Sequence, residues 1–134
     1  MPNVEDIEGI GPAFAEKLAG AGVNSIDDLL SAGASKKGRT ELEEKTGISG
    51  AHILKWVNHA DLIRIKGIGP EYAELLEAAG VDSVPELAQR NAANLHAKMV
   101  ECNTAKELVR QVASESQVEK WVEEAKTLDR VVTH

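Results

Sequence analysis

The chain contains a second copy of part of itself. Residues 7–29 read IEGIGPAFAEKLAGAGVNSIDDL and residues 65–87 read IKGIGPEYAELLEAAGVDSVPEL, an offset of 58 at which 13 of 23 positions are identical. Phe14/Tyr72 and Ile26/Val84 add conservative matches. A weaker echo follows at an offset of 65, where Ile53, Lys55, Trp56, Val57 and Ala60 correspond to Val118, Lys120, Trp121, Val122 and Ala125. The second copy therefore carries about seven extra residues in its middle, by the difference of the two offsets. Whatever the fold is, it must be one that a chain of this length can build twice. We place unit one at 1–62 and unit two at 63–134, and expect the two small units to pack together.

The longer segments carry helical spacing and end signals, and every segment that could be a strand is short. Pro12 opens a helix that runs to about Ala21, with Gly22 as its left-handed stop. Ser25-x-x-Asp28 starts a second helix, Lys36 to Lys45 forms a third that stops at Gly47, and Ser49 caps a fourth. On this last helix Ile53, Trp56, Val57 and Ala60 share one face. Unit two repeats the plan with Pro70 to Ala79, Val84 to Arg90, a stretch from Ala92 to Val112 broken at Thr104-x-x-Glu107, and Glu115 to Leu128 capped by Ser114. The expectation is an all-α fold of eight or nine short helices, four to a unit.

Charge narrows the function. Fifteen Lys/Arg against 22 Asp/Glu leave a net charge of -7, so no overall field draws the molecule to nucleic acid or to an anionic membrane, and any phosphate contact must be local. Eighteen alanines and only four aromatic residues (Phe14, Trp56, Tyr72 and Trp121) favour thin helices in close contact. Cys102 is the single cysteine, which excludes an intramolecular disulfide and a thiolate zinc cluster. The sequence MPNVEDIEG has no apolar leader core, and no stretch is long enough to span a membrane. A cytoplasmic location is the expectation.

The chemically informative stretch is Gly-h-Gly-Pro-x-x-Ala, with h aliphatic, at Gly9 to Ala15 and again at Gly67 to Ala73. Two glycines around one aliphatic residue allow a tight turn, with Ile10 or Ile68 plugged into the core beneath it. A helix starts immediately afterwards, so several backbone N–H groups point outward with no intrahelical partner. That arrangement suits an anion, typically a phosphate oxygen. The plainer reading is that Gly-h-Gly is simply the turn that this helix packing requires.

These segments resemble the helix-hairpin-helix motif of DNA repair polymerases, ligases and nucleases, including the Gly-h-x-Ser-h-x-x-Leu continuation. Each unit would be a paired hairpin, with Thr46-Gly47-Ile48-Ser49 as a decayed second hairpin and the counterpart near Val112 to Ser116 without glycines. The whole length is also similar to a small prokaryotic family known only as a domain of unknown function. The hairpin resemblance implies a SAM-like four-helix fold for each unit and binding of the DNA or RNA backbone without sequence preference. It implies phosphate-facing amides at Gly9, Gly11 and Ala13 and at Gly67, Gly69 and Glu71, around Ile10 and Ile68. It also implies a monovalent cation on the carbonyls of Ile7 and Ile10, or of Ile65 and Ile68.

Departures from that pattern matter. DNA-binding hairpins commonly carry Lys or Arg beside the glycines and after the proline, where this chain has Ala13 and Glu71. Unit one adds Glu5, Asp6 and Glu8, whereas unit two has Arg64 and Lys66 at its turn. Affinity is expected to be weak and salt-sensitive.

The run Lys36, Lys37, Arg39 reads as a solvated face, Trp56 and Trp121 as core anchors, and Glu43, Glu44, Glu123 and Glu124 as solvent-facing acids. His52 and His59 are seven residues apart, wider than helical metal pairs. No nucleophile elbow, P-loop or dinucleotide fingerprint occurs. We therefore expect a non-catalytic binding module without cofactor or metal, with an interaction scaffold that kept the fold and lost phosphate binding as the alternative.

Overall fold

The computed structural model describes residues 3–133. Among them the chain forms eight α-helices after a 3-10 turn at Val4–Asp6: α1 (Pro12–Gly20), α2 (Ile26–Ala32), α3 (Lys36–Thr46), α4 (Gly50–Ile63), α5 (Pro70–Ala78), α6 (Val84–Ala88), α7 (Ala92–Lys106) and α8 (Glu115–Thr127). Among the described residues, extended pairing is limited to one isolated bridge between Asn3 and Ser25. The fold is all-α, as the sequence pattern predicts.

The ends of the helices are set by local chemistry, and the two copies use the same devices. Pro12 and Pro70 occupy the first turn of α1 and α5, after Gly11 and Gly69 in extended conformation. Both helices close identically: Gly22 (φ +84) and Gly80 (φ +94) turn left-handed. The following valine then reaches back, Val23 N–H to the Leu18 carbonyl at 2.9 Å and Val81 N–H to the Leu76 carbonyl at 2.8 Å. Ser25 accepts from the Asp28 amide (3.0 Å) while the Asp28 carboxylate accepts from the Ser25 amide (3.2 Å), a reciprocal cap. Ser114 and Gln117 do the same for α8, at 3.2 and 3.0 Å. Ser49 caps α4 by accepting from the His52 amide at 3.3 Å.

The predicted break in the long stretch after Ala92 falls one residue past Lys106. Glu107 ends α7 in the left-handed conformation (φ +50), without being a glycine. The extra length of the second copy is shared between α7, 15 residues against the 11 of α3, and the longer loop that follows it. Asn103 holds that loop from both sides, its Oδ1 accepting from the Val109 amide (2.9 Å) and its Nδ2 donating to the Val109 carbonyl (3.0 Å).

Contacts divide the chain into Met1–Asp61 with Val131–His134, and Leu62–Arg130. The repeat alone assigns 131–134 to the second unit, whereas contacts group them with the first. The reason is visible at Arg39, whose guanidinium donates to the Thr133 carbonyl at 2.7 Å while the Thr133 amide donates to the Ala34 carbonyl at 2.8 Å.

In the first unit Ile7, Ile10, Leu18, Leu29, Ile53, Trp56 and Val57 are buried, and α1 and α2 both pack on α3. In the second unit Ile65, Ile68, Leu75, Leu76, Leu87, Leu95, Met99 and Trp121 form one core, with α8 against α6 and α7. The helix stripes read from the sequence are these cores, and their burial is the main stabilising contribution.

Candidate functional site

Each copy builds the same small assembly from three places in its sequence. The glycine turn comes first. Gly9 and Gly67 have φ of +93 and +95, a conformation that L side chains rarely adopt. Ile10 and Ile68, between the glycines, are 4% and 3% exposed and anchor the turn in the core. The turn is closed by the Ile10 amide donating to the Ile7 carbonyl, and the Ile68 amide to the Ile65 carbonyl, each at 3.1 Å. The carbonyls of Ile7 and Ile65, expected to face a cation, thus already accept one hydrogen bond each.

Six amides lie along the outside of these turns: Gly9, Gly11 and Ala13, and Gly67, Gly69 and Glu71. None donates to an acceptor among the described residues. The next intrahelical bonds start at Ala15, to the Gly11 carbonyl (3.0 Å), and at Ala73, to the Gly69 carbonyl (2.9 Å). Gly9, Gly11, Ala13, Gly67 and Glu71 are exposed and Gly69 is half-buried. The six amides named from the sequence thus have no acceptor among the described residues in either copy.

The second part of each assembly is aromatic. Phe14 and Tyr72, in the first turns of α1 and α5, lie tilted against Trp56 and Trp121, with ring centroids 5.1 and 5.3 Å apart and the same interplanar angle of 59°. Tyr72 also donates its hydroxyl to the Gln111 carbonyl at 2.7 Å, tying the longer loop of the second copy to this end of α5. In the first copy His52 is exposed and stacked on Trp56 (5.6 Å, 9°), and Lys17 lies 5.8 Å from the Phe14 ring centroid. His59, two turns along α4, is buried, so the two histidines differ in environment.

The third part is the tryptophan. Trp56 and Trp121 are 2% and 4% exposed, as core anchors should be. Their nitrogen edges nevertheless abut the turn: a β carbon on Gly9 would stand 3.4 Å from Trp56 Nε1, and one on Gly67 would stand 3.0 Å from Trp121 Nε1. The sequence placed these residues in the right layer but could not tell which edge of the ring meets the loop.

The charged neighbours separate the copies. Glu5, Asp6 and Glu8 are exposed around the first turn. At the second, Lys66 is exposed and Arg64 is half-buried, with one guanidinium nitrogen donating to the Asp129 carbonyl at 2.9 Å. Glu71 is exposed on the first turn of α5.

Glu124, expected to face solvent, is instead half-buried, and its Oε2 accepts from the Lys66 backbone amide at 3.3 Å. One amide of the second turn thus already holds an anionic oxygen of the protein itself. Glu43, Glu44 and Glu123 are exposed, as expected.

The basic run at 36–39 is not one surface. Lys36 and Lys37 are exposed, but Arg39 is 8% exposed and donates to the carbonyls of Gly33 (2.8 Å), Ala34 (3.2 Å) and Thr133 (2.7 Å). Burial pushes its pKa below the ordinary arginine value. Arg39 is a structural tie, because three of its N–H donors are taken up by backbone carbonyls. Cys102 is half-buried, its thiol 3.4 Å from the Ala78 carbonyl. No group of three or more metal-ligating side chains occurs among the described residues, and none of their helices is long and apolar enough to cross a membrane.

The chain belongs to a family described as a domain of unknown function (DUF4332), whose model matches residues 8–128. No curated protein and no solved structure matches it.

Proposed function

We propose that this member of DUF4332 is a non-catalytic module that binds the sugar-phosphate backbone of nucleic acid without reading its sequence, through helix-hairpin-helix-like glycine turns. The observation that carries the reading is the twice-built row of outward amides, Gly9, Gly11, Ala13 and Gly67, Gly69, Glu71, with no protein acceptor among the described residues. Amides at the start of a helix favour an anion on both hydrogen-bonding and dipole grounds. The second turn is the stronger of the two. Lys66 and Arg64 flank it, whereas Glu5, Asp6 and Glu8 surround the first and repel a phosphate.

The rival role, a protein-interaction scaffold, would call for an exposed apolar patch of several hundred Å². The one large hydrophobic side chain exposed among the described residues is Val100. That favours the polar partner.

Fluorescence polarisation with single-stranded, duplex and branched DNA at low salt tests the proposal. Binding should be weak, fall steeply with added salt, and be lowered by Lys66→Glu. The reading is discarded if no probe binds below about 100 µM, since nonspecific binders reach roughly 1 to 100 µM even at physiological salt.

A further inference from the structure

The second copy lines a groove with residues that the first copy does not have. Residues 107–114 join α7 to α8, whereas residues 47–49 alone join α3 to α4. The longer loop, the end of α7 and the first turn of α5 line an open groove of about 540 Å³, within the usual size of a small-molecule site. Glu71, Glu107 and Arg110 line it together with Leu108 and Val109. In the first copy Ala13 stands where Glu71 does, so the acid that α5 contributes is also peculiar to the second.

The three charged groups are exposed and carry both signs. Arg110 nevertheless pairs with neither acid, and no hydrogen bond or ion pair joins any of the three side chains to a described residue. Two carboxylates and one guanidinium thus line a single groove with their acceptors and donors open. Beside them Leu108 is half-buried and Val109 is buried, an apolar surface on which an aliphatic stem can lie.

The loop is held in shape before any ligand arrives. Asn103 grips Val109 at both its amide and its carbonyl (2.9 and 3.0 Å), and the Tyr72 hydroxyl donates to the Gln111 carbonyl at 2.7 Å. A site fixed in this way loses little affinity to ordering itself. Glu107 stands at φ +50, where a glycine would be the less strained residue. A side chain held at local cost on the edge of a cavity points to a use beyond packing.

We propose that this groove binds a basic amino acid, of the arginine or lysine type. The match is by charge and by number of groups. Glu71 and Glu107 accept from the α-ammonium and the side-chain cation, Arg110 donates to the carboxylate, and the aliphatic stem lies against Leu108 and Val109. A singly positive ligand then offsets the single net negative charge of the three side chains. A carboxylic acid without a cation, or an amine without an acid, would leave one sign of the groove unanswered. The site uses side chains only and does not depend on the phosphate reading of the turn amides.

The full chain is titrated with L-arginine and, separately, with L-lysine, and followed by backbone amide shifts in a proton–nitrogen correlation spectrum. The expected result is a saturable shift at Glu71 and residues 107–110, with a dissociation constant of about 1 mM or below for at least one of the two. The amide of that amino acid, which lacks the carboxylate, and its Nα-acetyl derivative, which lacks the ammonium, should each bind about tenfold more weakly, the loss expected of one charge-assisted hydrogen bond. Glu107→Gly and Arg110→Gln should weaken binding to a similar degree. Glu107→Gly relieves the strain at φ +50, so a loss of binding in that variant is not a loss of fold.

The proposal is overturned if neither amino acid gives a saturable response at concentrations up to about 10 mM. It is equally overturned if Glu107→Gly binds like the unaltered chain, or if the amide and acetyl derivatives bind like the parent amino acid. Shifts at Gly67 and Gly69 without shifts at residues 107–110 would put the ligand on the turn and also sink it, while leaving the nucleic-acid reading untouched.

Discussion

The backbone of Gly67 lies so close to the indole nitrogen of Trp121 that a β carbon there would stand 3.0 Å from it, in a residue already at φ +95. Gly67→Ala therefore meets both a steric and a conformational penalty. Left-handed strain of this kind costs about 1–3 kcal/mol by itself, so we expect a loss of about 2–4 kcal/mol from the second unit. Gly9→Ala has the same strain (φ +93) but a looser contact at 3.4 Å, and should lose less. Gly11→Ala and Gly69→Ala face open space at negative φ and should lose less than about 1 kcal/mol. Urea unfolding of the four variants checks the order; equal losses at Gly67 and Gly69 would contradict it.

Arg39→Met should destabilise the first unit by about 2–4 kcal/mol, because three carbonyls lose a charged donor. The effect has a local signature. The Thr133 amide, bonded to the Ala34 carbonyl, should exchange with solvent much faster once the guanidinium no longer holds the Thr133 carbonyl. Unchanged protection at Thr133 would show that Arg39 is not the tie.

Glu107 closes α7 at φ +50, a conformation that costs a side chain about 1–2 kcal/mol. Glu107→Gly relieves that cost and adds unfolded-state entropy, and the net expectation is a gain of about 0.5–1 kcal/mol. A thermal melt of the variant should shift upward. Since Asn103 fixes the following loop independently, the shift should not require any change in loop structure.

Asp28 is the carboxylate whose ionisation is tied to a helix start. Hydrogen bonds from the Asn24 amide first, then the Ser25 amide, hold its pKa below the ordinary aspartate value, against the opposing effect of desolvation. A depressed folded pKa means that the unfolded chain binds the proton more readily. The stabilisation is then fully present above the unfolded value and is lost as pH falls through the folded one. Asp28→Asn should thus lower the urea midpoint near neutrality, with the gap to the unaltered chain closing on acidification. A gap independent of pH would refute the assignment.

Glu124→Gln tests the charge at the second turn. The amide oxygen still accepts from the Lys66 N–H, so stability should be nearly unchanged, but a negative charge disappears beside the proposed phosphate position. Oligonucleotide affinity should rise several-fold at low salt, and the gain should shrink as salt is added. No gain at low salt would place the phosphate elsewhere.

Most of the architecture was legible because local signals agree with one another. Pro12, Gly22, Ser25, Gly47 and Ser114 each act within a few residues of themselves, so reading them needs no tertiary knowledge. The repeat supplied the rest by giving every signal in α1 and α2 a second witness in α5 and α6. Arg39 was misread because its burial depends on residue 133, remote in sequence. Glu124 was misread for a similar reason: helical position alone does not reveal that the Lys66 amide lies within reach. The two tryptophans were placed in the core correctly, but ring orientation is decided by Phe14 and Tyr72 from another helix. A signal existed, since each copy pairs one glycine turn with one tryptophan; only geometry could turn that pairing into a contact.

Because residues 131–133 belong with the first unit while 62–130 form the second, the second copy is, topologically, a guest inserted within its host. During synthesis the guest has every residue it needs before the host does, and the host must wait, open at Arg39, until the chain returns. The guest is one continuous stretch of chain, whereas the host is closed by a tie between Arg39 and Thr133 made across the whole intervening copy.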